Sequence, residues 1–215
     1  MKIFLDTADV EAVRKAQDTG LLDGITTNPA KIAETGRKFA EVVKEICQIT
    51  PGPVSAEAVG ASTKEIISQA QQIAAIAPNV VVKVPMTVDG LKAACVLEKD
   101  KGIRTNVTMV FSSTQALLAM KAGAAYVSIV LSRLDGIASQ SDVLVDDTVQ
   151  IKHNYGFASE IIAASLKTQN HILSCLRQGV DIVTVPESLF FQMYKHPLTD
   201  AGLAEFEKAW QTIPK

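Results

Sequence analysis

The sequence predicts an α/β fold: a closed (β/α)8 barrel of the TIM type with an additional C-terminal helix. Eight short apolar, β-branched runs recur along the chain, the residues between them change to helical spacing, and 215 residues hold eight such units with little left over. Strands that alternate with helices pair in parallel, because a parallel connection needs a crossover that a helix usually supplies. Eight units of this length close near the small end of barrel sizes.

In chain order the predicted strands are residues 3–5, 24–26, 53–56, 80–83, 105–108, 126–128, 161–164 and 182–185. Between them the periodicity is helical, as in Phe39, Val42, Val43 and Ile46, or Ile66, Ile67, Ala70, Ile73 and Ala74. Ser62 with Glu65 and Ser112 with Gln115 are capping-box spacings, and Gly20, Gly102, Gly123 and Gly179 stand where helices should stop. After the eighth unit, residues 199–212 form a further helix whose Leu203, Phe206 and Trp210 share one face. That face must be buried on its own barrel or on a neighbouring subunit. The alternative is an open doubly wound sheet, but Leu5-Asp6-Thr7-Ala8-Asp9 stands where a Gly-rich phosphate fingerprint would follow the first strand. No linker or low-complexity tract divides the chain, so residues 1–215 read as one domain.

Composition narrows the function. The chain is 47% hydrophobic and 20% charged, with 21 Lys plus Arg interspersed among 23 Asp plus Glu for a net charge of -2. Nucleic acid and anionic membranes select a basic face, so neither is expected as a partner. No apolar stretch approaches the roughly 20 residues a bilayer needs, and a cytoplasmic setting is the expectation. Cys47, Cys95 and Cys175 lie far apart among helical residues, and His153, His171 and His196 are also dispersed, which fits neither a disulfide nor a metal-site framework. No cofactor is implied.

In a barrel of this kind the active site forms at the C-terminal ends of the strands. There the sequence places Asp6, then Thr26-Thr27-Asn28, Glu57, Lys83, Asn106 with Thr108, and Ser128. Lys83 is the sharpest signal, one amine inside Val80-Val81-Val82-Lys83-Val84-Pro85. Burial favours the neutral amine, the form that attacks a carbonyl to make a Schiff base. The competing reading is a lysine that snorkels or pairs with a carboxylate. Asp6 and Glu57 serve equally as proton carriers for a carbonyl reaction or as that ion-pair partner. Asn28 before Pro29 reads locally as a turn residue. Asn106 and Thr108 point to the same side of their strand, a side that can line the pocket. Arg133, Ser165 and Lys167 follow the sixth and seventh strands, where barrels commonly bind phosphate.

Phe4-Leu5-Asp6-Thr7-Ala8, Gly24-Ile25-Thr26-Thr27-Asn28-Pro29, Val81-Val82-Lys83-Val84-Pro85 with Gly90-Leu91, and Ala163-Ala164-Ser165 with Lys167 together resemble the transaldolase family in its short form, which includes the fructose 6-phosphate aldolases. The resemblance implies a class I enzyme without metal or cofactor. It implies Lys83 as the Schiff-base lysine, Asp6 as the carboxylate that takes the hydroxyl proton, and Glu57 with Thr108 as holders of a catalytic water. Asn28, Asn106 and Ser128 then bind substrate hydroxyls or orient the lysine, and Arg133, Ser165 and Lys167 bind phosphate. Short-form members resemble one another in forming ring-built homo-oligomers, pentamers or decamers, with the C-terminal helix on a neighbour. Transaldolases resemble this chain in having Glu at position 57, where the aldolases have Gln. The family's proline and aromatic after the strand-six serine are replaced here by Ile129 and Val130.

The expected reaction is transfer of a dihydroxyacetone unit in the pentose phosphate pathway, from sedoheptulose 7-phosphate to glyceraldehyde 3-phosphate, giving erythrose 4-phosphate and fructose 6-phosphate. The alternatives are an aldolase that releases free dihydroxyacetone and a barrel that binds sugar phosphates without turnover.

Overall fold

The computed structural model describes residues 1–214. Its strands are β1 (Lys2–Asp6), β2 (Gly24–Thr26), β3 (Val54–Glu57), β4 (Val80–Pro85), β5 (Thr105–Val110), β6 (Tyr126–Val130), β7 (Glu160–Ala164) and β8 (Ile182–Val185). They pair in parallel in sequence order and close β8 onto β1. All eight predicted runs are strands of the barrel, and the open-sheet alternative is excluded. β4, β5 and β6 run two residues beyond the predicted ends, because ladder pairing continues past the last residue of the apolar pattern.

The helices are α1 (Val10–Gln17), α2 (Pro29–Glu34), α3 (Phe39–Ile49), α4 (Thr63–Ala74), α5 (Val88–Asp100), α6 (Ser113–Lys121), α7 (Ser132–Asp135), α8 (Ser141–Tyr155), α9 (Gln169–Gln178), α10 (Glu187–Gln192) and α11 (Pro197–Gln211). The predicted stripes face the barrel: Val42, Val43 and Ile46 are buried on α3, and Ile66, Ala70 and Ile73 on α4. Ser62 accepts the Glu65 N–H at 3.3 Å, and Glu65 reaches back to the N–H of Ala61 at 2.9 Å. Ser112 and Gln115 repeat the pattern at the N-terminus of α6, with Gln115 accepting from Phe111. These reciprocal bonds satisfy donors that a helix start otherwise leaves open.

Two apolar regions hold the structure together. The larger lies between sheet and helices, and the smaller, Phe4, Val81, Tyr126, Ile162 and Ile182, plugs the barrel interior. Gly24 makes room for this plug, since a Cβ there would lie 2.7 Å from the Phe4 ring. Side chains alternate across a strand, so two residues further on each strand faces the interior again. Phe4 leads to Asp6, Val81 to Lys83, Tyr126 to Ser128 and Ile182 to Thr184. The interior thus passes from an apolar plug to buried hydroxyls and amides, Thr26, Ser55, Asn106, Ser128 and Thr184, and then to the charged residues at the open end.

α11 starts two residues earlier than predicted. Pro197 suits a first helical turn, and the His196 ring accepts the N–H of Leu198 at 3.2 Å. None of its residues is buried, and Leu203, Phe206 and Trp210 are 59%, 73% and 74% exposed. Of the two places the sequence allowed for this face, its own barrel is excluded.

Candidate active site

The C-terminal strand ends enclose a cavity of about 480 Å³. Asp6, Asn28, Glu57, Lys83, Thr108, Ser128, Arg133, Ser165 and Lys167 all line it. Asn106 does not reach its surface. It stands two residues below Thr108 on β5, fully buried, where its amide donates to Ser55 Oγ at 3.1 Å and accepts from Ser128 Oγ at 2.7 Å. The expectation that Asn106 lines the pocket is therefore corrected: it supports the layer beneath.

Strand register sets the centre. Glu57, Lys83 and Asn106 are lateral neighbours on β3, β4 and β5. Lys83 Nζ lies 3.3 Å from Glu57 Oε2 and donates to the Thr27 carbonyl at 3.3 Å. The two side chains are only 12% and 19% exposed, so the amine sits in a secluded polar pair and not alone among apolar atoms.

Across the cavity, Asp6 is held by both oxygens. Oδ1 accepts from the Thr26 hydroxyl at 3.2 Å, Thr26 is fixed by Thr184 at 2.7 Å, and Oδ2 lies 3.7 Å from Lys31 Nζ. Asn28 combines both readings open to it. Its Oδ1 caps α2 by accepting the Lys31 N–H at 3.0 Å, and the residue also lines the cavity.

Three cationic or hydroxyl groups gather on the opposite rim. Arg133 comes from α7 and donates to Met109 Sδ at 3.7 Å, and Ser165 Oγ is hydrogen-bonded to Ser132 Oγ at 2.7 Å. Met109 and Ser165 have left-handed backbones, with φ of 63° and 61°. Met109 sits where the β5–β6 register shifts. Such conformations cost energy and cluster where a side chain must be aimed at a site.

The model of the family described as Transaldolase/Fructose-6-phosphate aldolase matches residues 3–215. The chain belongs to this family. Among the family's curated proteins, probable transaldolases of Geobacter metallireducens and Clostridium tetani are 51% and 50% identical over the full length of both chains. One from Aquifex aeolicus is 50% identical, covering 100% of this chain and 99% of its own. Two solved barrels resemble the family's fold alone. Thiamine phosphate pyrophosphorylase from Pyrococcus furiosus has a TM-score of 0.63 at 17% identity, covering 88% of this chain and 87% of its own. Orotidine 5'-monophosphate decarboxylase from Methanocaldococcus jannaschii has 0.61 at 15%, covering 88% and 90%.

Reading only strand ends missed Ser55, Lys31, Met109, Ser132 and Thr184. Ser55 and Thr184 carried a signal, a hydroxyl two residues from a charged or apolar inward position. Lys31 on α2, Met109 at the β5–β6 register shift and Ser132 at the start of α7 carried none, because only the folded arrangement brings them to the site.

Proposed function

We propose that the chain is a transaldolase that moves a dihydroxyacetone unit from a ketose phosphate to an aldose phosphate through a Schiff base on Lys83. The observation that carries this reading is the secluded Lys83–Glu57 pair at 3.3 Å, facing Asp6 across one cavity.

Glu57 takes a proton from the Lys83 ammonium, and the neutral amine attacks the C2 carbonyl of the donor. The carbinolamine loses water to give a protonated imine, with Glu57 and Thr108 handling the proton and the departing water. Asp6 then removes the proton of the C4 hydroxyl. The bond between C3 and C4 breaks, its electrons pass into the imine to form an enamine, and the shortened aldose leaves. An incoming aldehyde reverses these steps, and hydrolysis frees the new ketose. Arg133, Ser165 and Lys167 anchor the sugar's phosphate, with the charge-assisted bonds a phosphate favours. Keeping water from the enamine until the acceptor arrives is part of the proposed mechanism.

Glu57, where aldolases of the family resemble one another in having Gln, favours transfer over release. The second reading, an aldolase that releases dihydroxyacetone, rests on Val130, which lines the cavity where the family has an aromatic ring. The α11 stripe supports assembly as a homo-oligomer, since Phe206 and Trp210 stand largely exposed on the chain itself.

The test is product analysis with fructose 6-phosphate, with and without erythrose 4-phosphate. Sedoheptulose 7-phosphate formed only with the acceptor, and by wild type but not Lys83→Met, supports transfer. Free dihydroxyacetone in equal amounts with and without acceptor supports the aldolase.

A further inference from the structure

His171, which the sequence leaves among scattered histidines, joins the two segments that carry the rim cations. On α9 the capping arrangement of α4 and α6 recurs. Thr168 accepts the His171 N–H, and the residue three positions on reaches back, here with His171 Nδ1 accepting the Lys167 N–H at 3.2 Å. Glu65 and Gln115 do the same on their own helices. An imidazole differs from those side chains in having a second ring nitrogen fixed opposite the first. A ring whose Nδ1 accepts carries its proton on Nε2, and that nitrogen lies 3.3 Å from Asp135 Oδ2 on α7.

We infer that His171 is a positioning residue for anion binding: one ring holds the β7–α9 loop, which bears Ser165 and Lys167, at a fixed distance from α7, which bears Arg133. Three observations converge. One ring nitrogen accepts a hydrogen bond from the loop, and the other lies 3.3 Å from the Asp135 carboxylate of α7. The segments are tied again by Ser132 and Ser165 at 2.7 Å, and by the Leu131 N–H donating to the Ala164 carbonyl at 3.1 Å. The loop residue between, Ser165, is held in a left-handed conformation that needs outside support. A phosphate gripped from two loops loses affinity when the loops drift, since pre-organisation is what such a site supplies. The inference rests on the phosphate role proposed for Arg133, Ser165 and Lys167.

The experiment measures inorganic phosphate binding by calorimetry, and KM and kcat for fructose 6-phosphate, in wild type and three variants. His171→Ala is expected to weaken phosphate and raise KM by roughly ten-fold each, the effect of about one lost hydrogen bond, with kcat within about two-fold. His171→Gln keeps the α9 cap, as Gln115 does on α6, but has no nitrogen opposite it to face Asp135, so it is expected to bind phosphate as weakly as His171→Ala; full recovery is what a mere cap predicts and overturns the inference. Asp135→Ala discriminates by sign. It leaves the α9 cap intact and removes a negative charge near the anion, so a mere cap predicts equal or tighter phosphate binding, whereas the inference predicts weaker binding. It also carries the test if His171→Ala fails to fold. Unchanged phosphate affinity in His171→Ala, or equal or tighter binding in Asp135→Ala, overturns the inference, as does wild-type protein that binds no phosphate. Phosphate binding that depends on His171 in a protein that turns over no ketose phosphate supports it and defeats the proposed reaction instead.

Discussion

Each oxygen of Asp6 has a separate partner, Thr26 on one side and Lys31 on the other, while Lys83 is 3.3 Å from a different carboxylate, Glu57. The proposed mechanism therefore divides proton transfer between two acids, one at the amine and one across the cavity. Replacing Asp6 with Asn is expected to leave imine formation intact and stop carbon bond cleavage, so borohydride reduction with fructose 6-phosphate traps a six-carbon adduct on Lys83. Turnover is expected to fall roughly 10²-fold or more, as for loss of a general base; a three-carbon adduct at the normal rate sinks the role given to Asp6. At this scale the sequence was most legible where chemistry conflicts with environment. An amine in an apolar strand and carboxylates at strand ends stand out without coordinates. Asn106 was misplaced by one layer, because period two gives the side of a strand but not the depth. His171 was invisible, because its meaning depends on Asp135, 36 residues away, reaching the same point in space.

α5 is set against the end of β4 by Gly90, where a Cβ would lie 2.0 Å from the Pro85 carbonyl oxygen, two residues from Lys83. Gly90→Ala must push the helix away. It is expected to cost about 1–3 kcal/mol, lowering the melting temperature by several degrees, with activity falling further than stability accounts for; an unchanged melting curve contradicts the close approach. α4 and α5 are tied by the Thr63 N–H and hydroxyl, which both donate to Asp89 Oδ1. Those bonds hold the Asp89 carboxyl below the usual aspartate range. A carboxylate so held contributes stability above the ordinary aspartate value of about 4 and loses it as pH falls through the lowered one. Asp89→Asn is expected to be less stable near neutrality and to lose less stability on acidification, read by circular dichroism; parallel acid titrations of the two proteins argue against the tie. Burial raises the thiols of Cys47 and Cys175 to about 11 and about 12, which agrees with their reading as small packing residues in helices. Element boundaries at predicted helix stops were legible because Gly20, Gly102, Gly123 and Gly179 all adopt positive φ, a local requirement. The β5–β6 irregularity was not, since it reflects how two strands meet at the rim.

At the scale of the molecule, closure was legible from the count of strand and helix units and from the absence of a Gly-rich turn after β1. The direction taken by α11 was not, because an amphipathic face states that a partner exists and not which one. Its residues remain exposed on the chain itself, so the double variant Phe206→Glu, Trp210→Glu is expected to lower the mass found by sedimentation while leaving the barrel's far-ultraviolet spectrum unchanged. Wild-type protein that sediments as a monomer refutes the assembly. No helix of the described residues is long and apolar enough to cross a membrane. The Schiff base proposed for Lys83 joins the three scales, since it needs the amine of one residue, the register of β3 to β5 and the cavity at the strand ends of the closed barrel. The measurement that tests it most directly is borohydride reduction of wild-type protein with fructose 6-phosphate, followed by intact mass and peptide mapping. The account predicts a three-carbon adduct on Lys83, formed when the enamine left after cleavage is protonated to the imine and the imine takes hydride. No adduct with fructose 6-phosphate or sedoheptulose 7-phosphate in folded protein, or an adduct on another lysine, contradicts it.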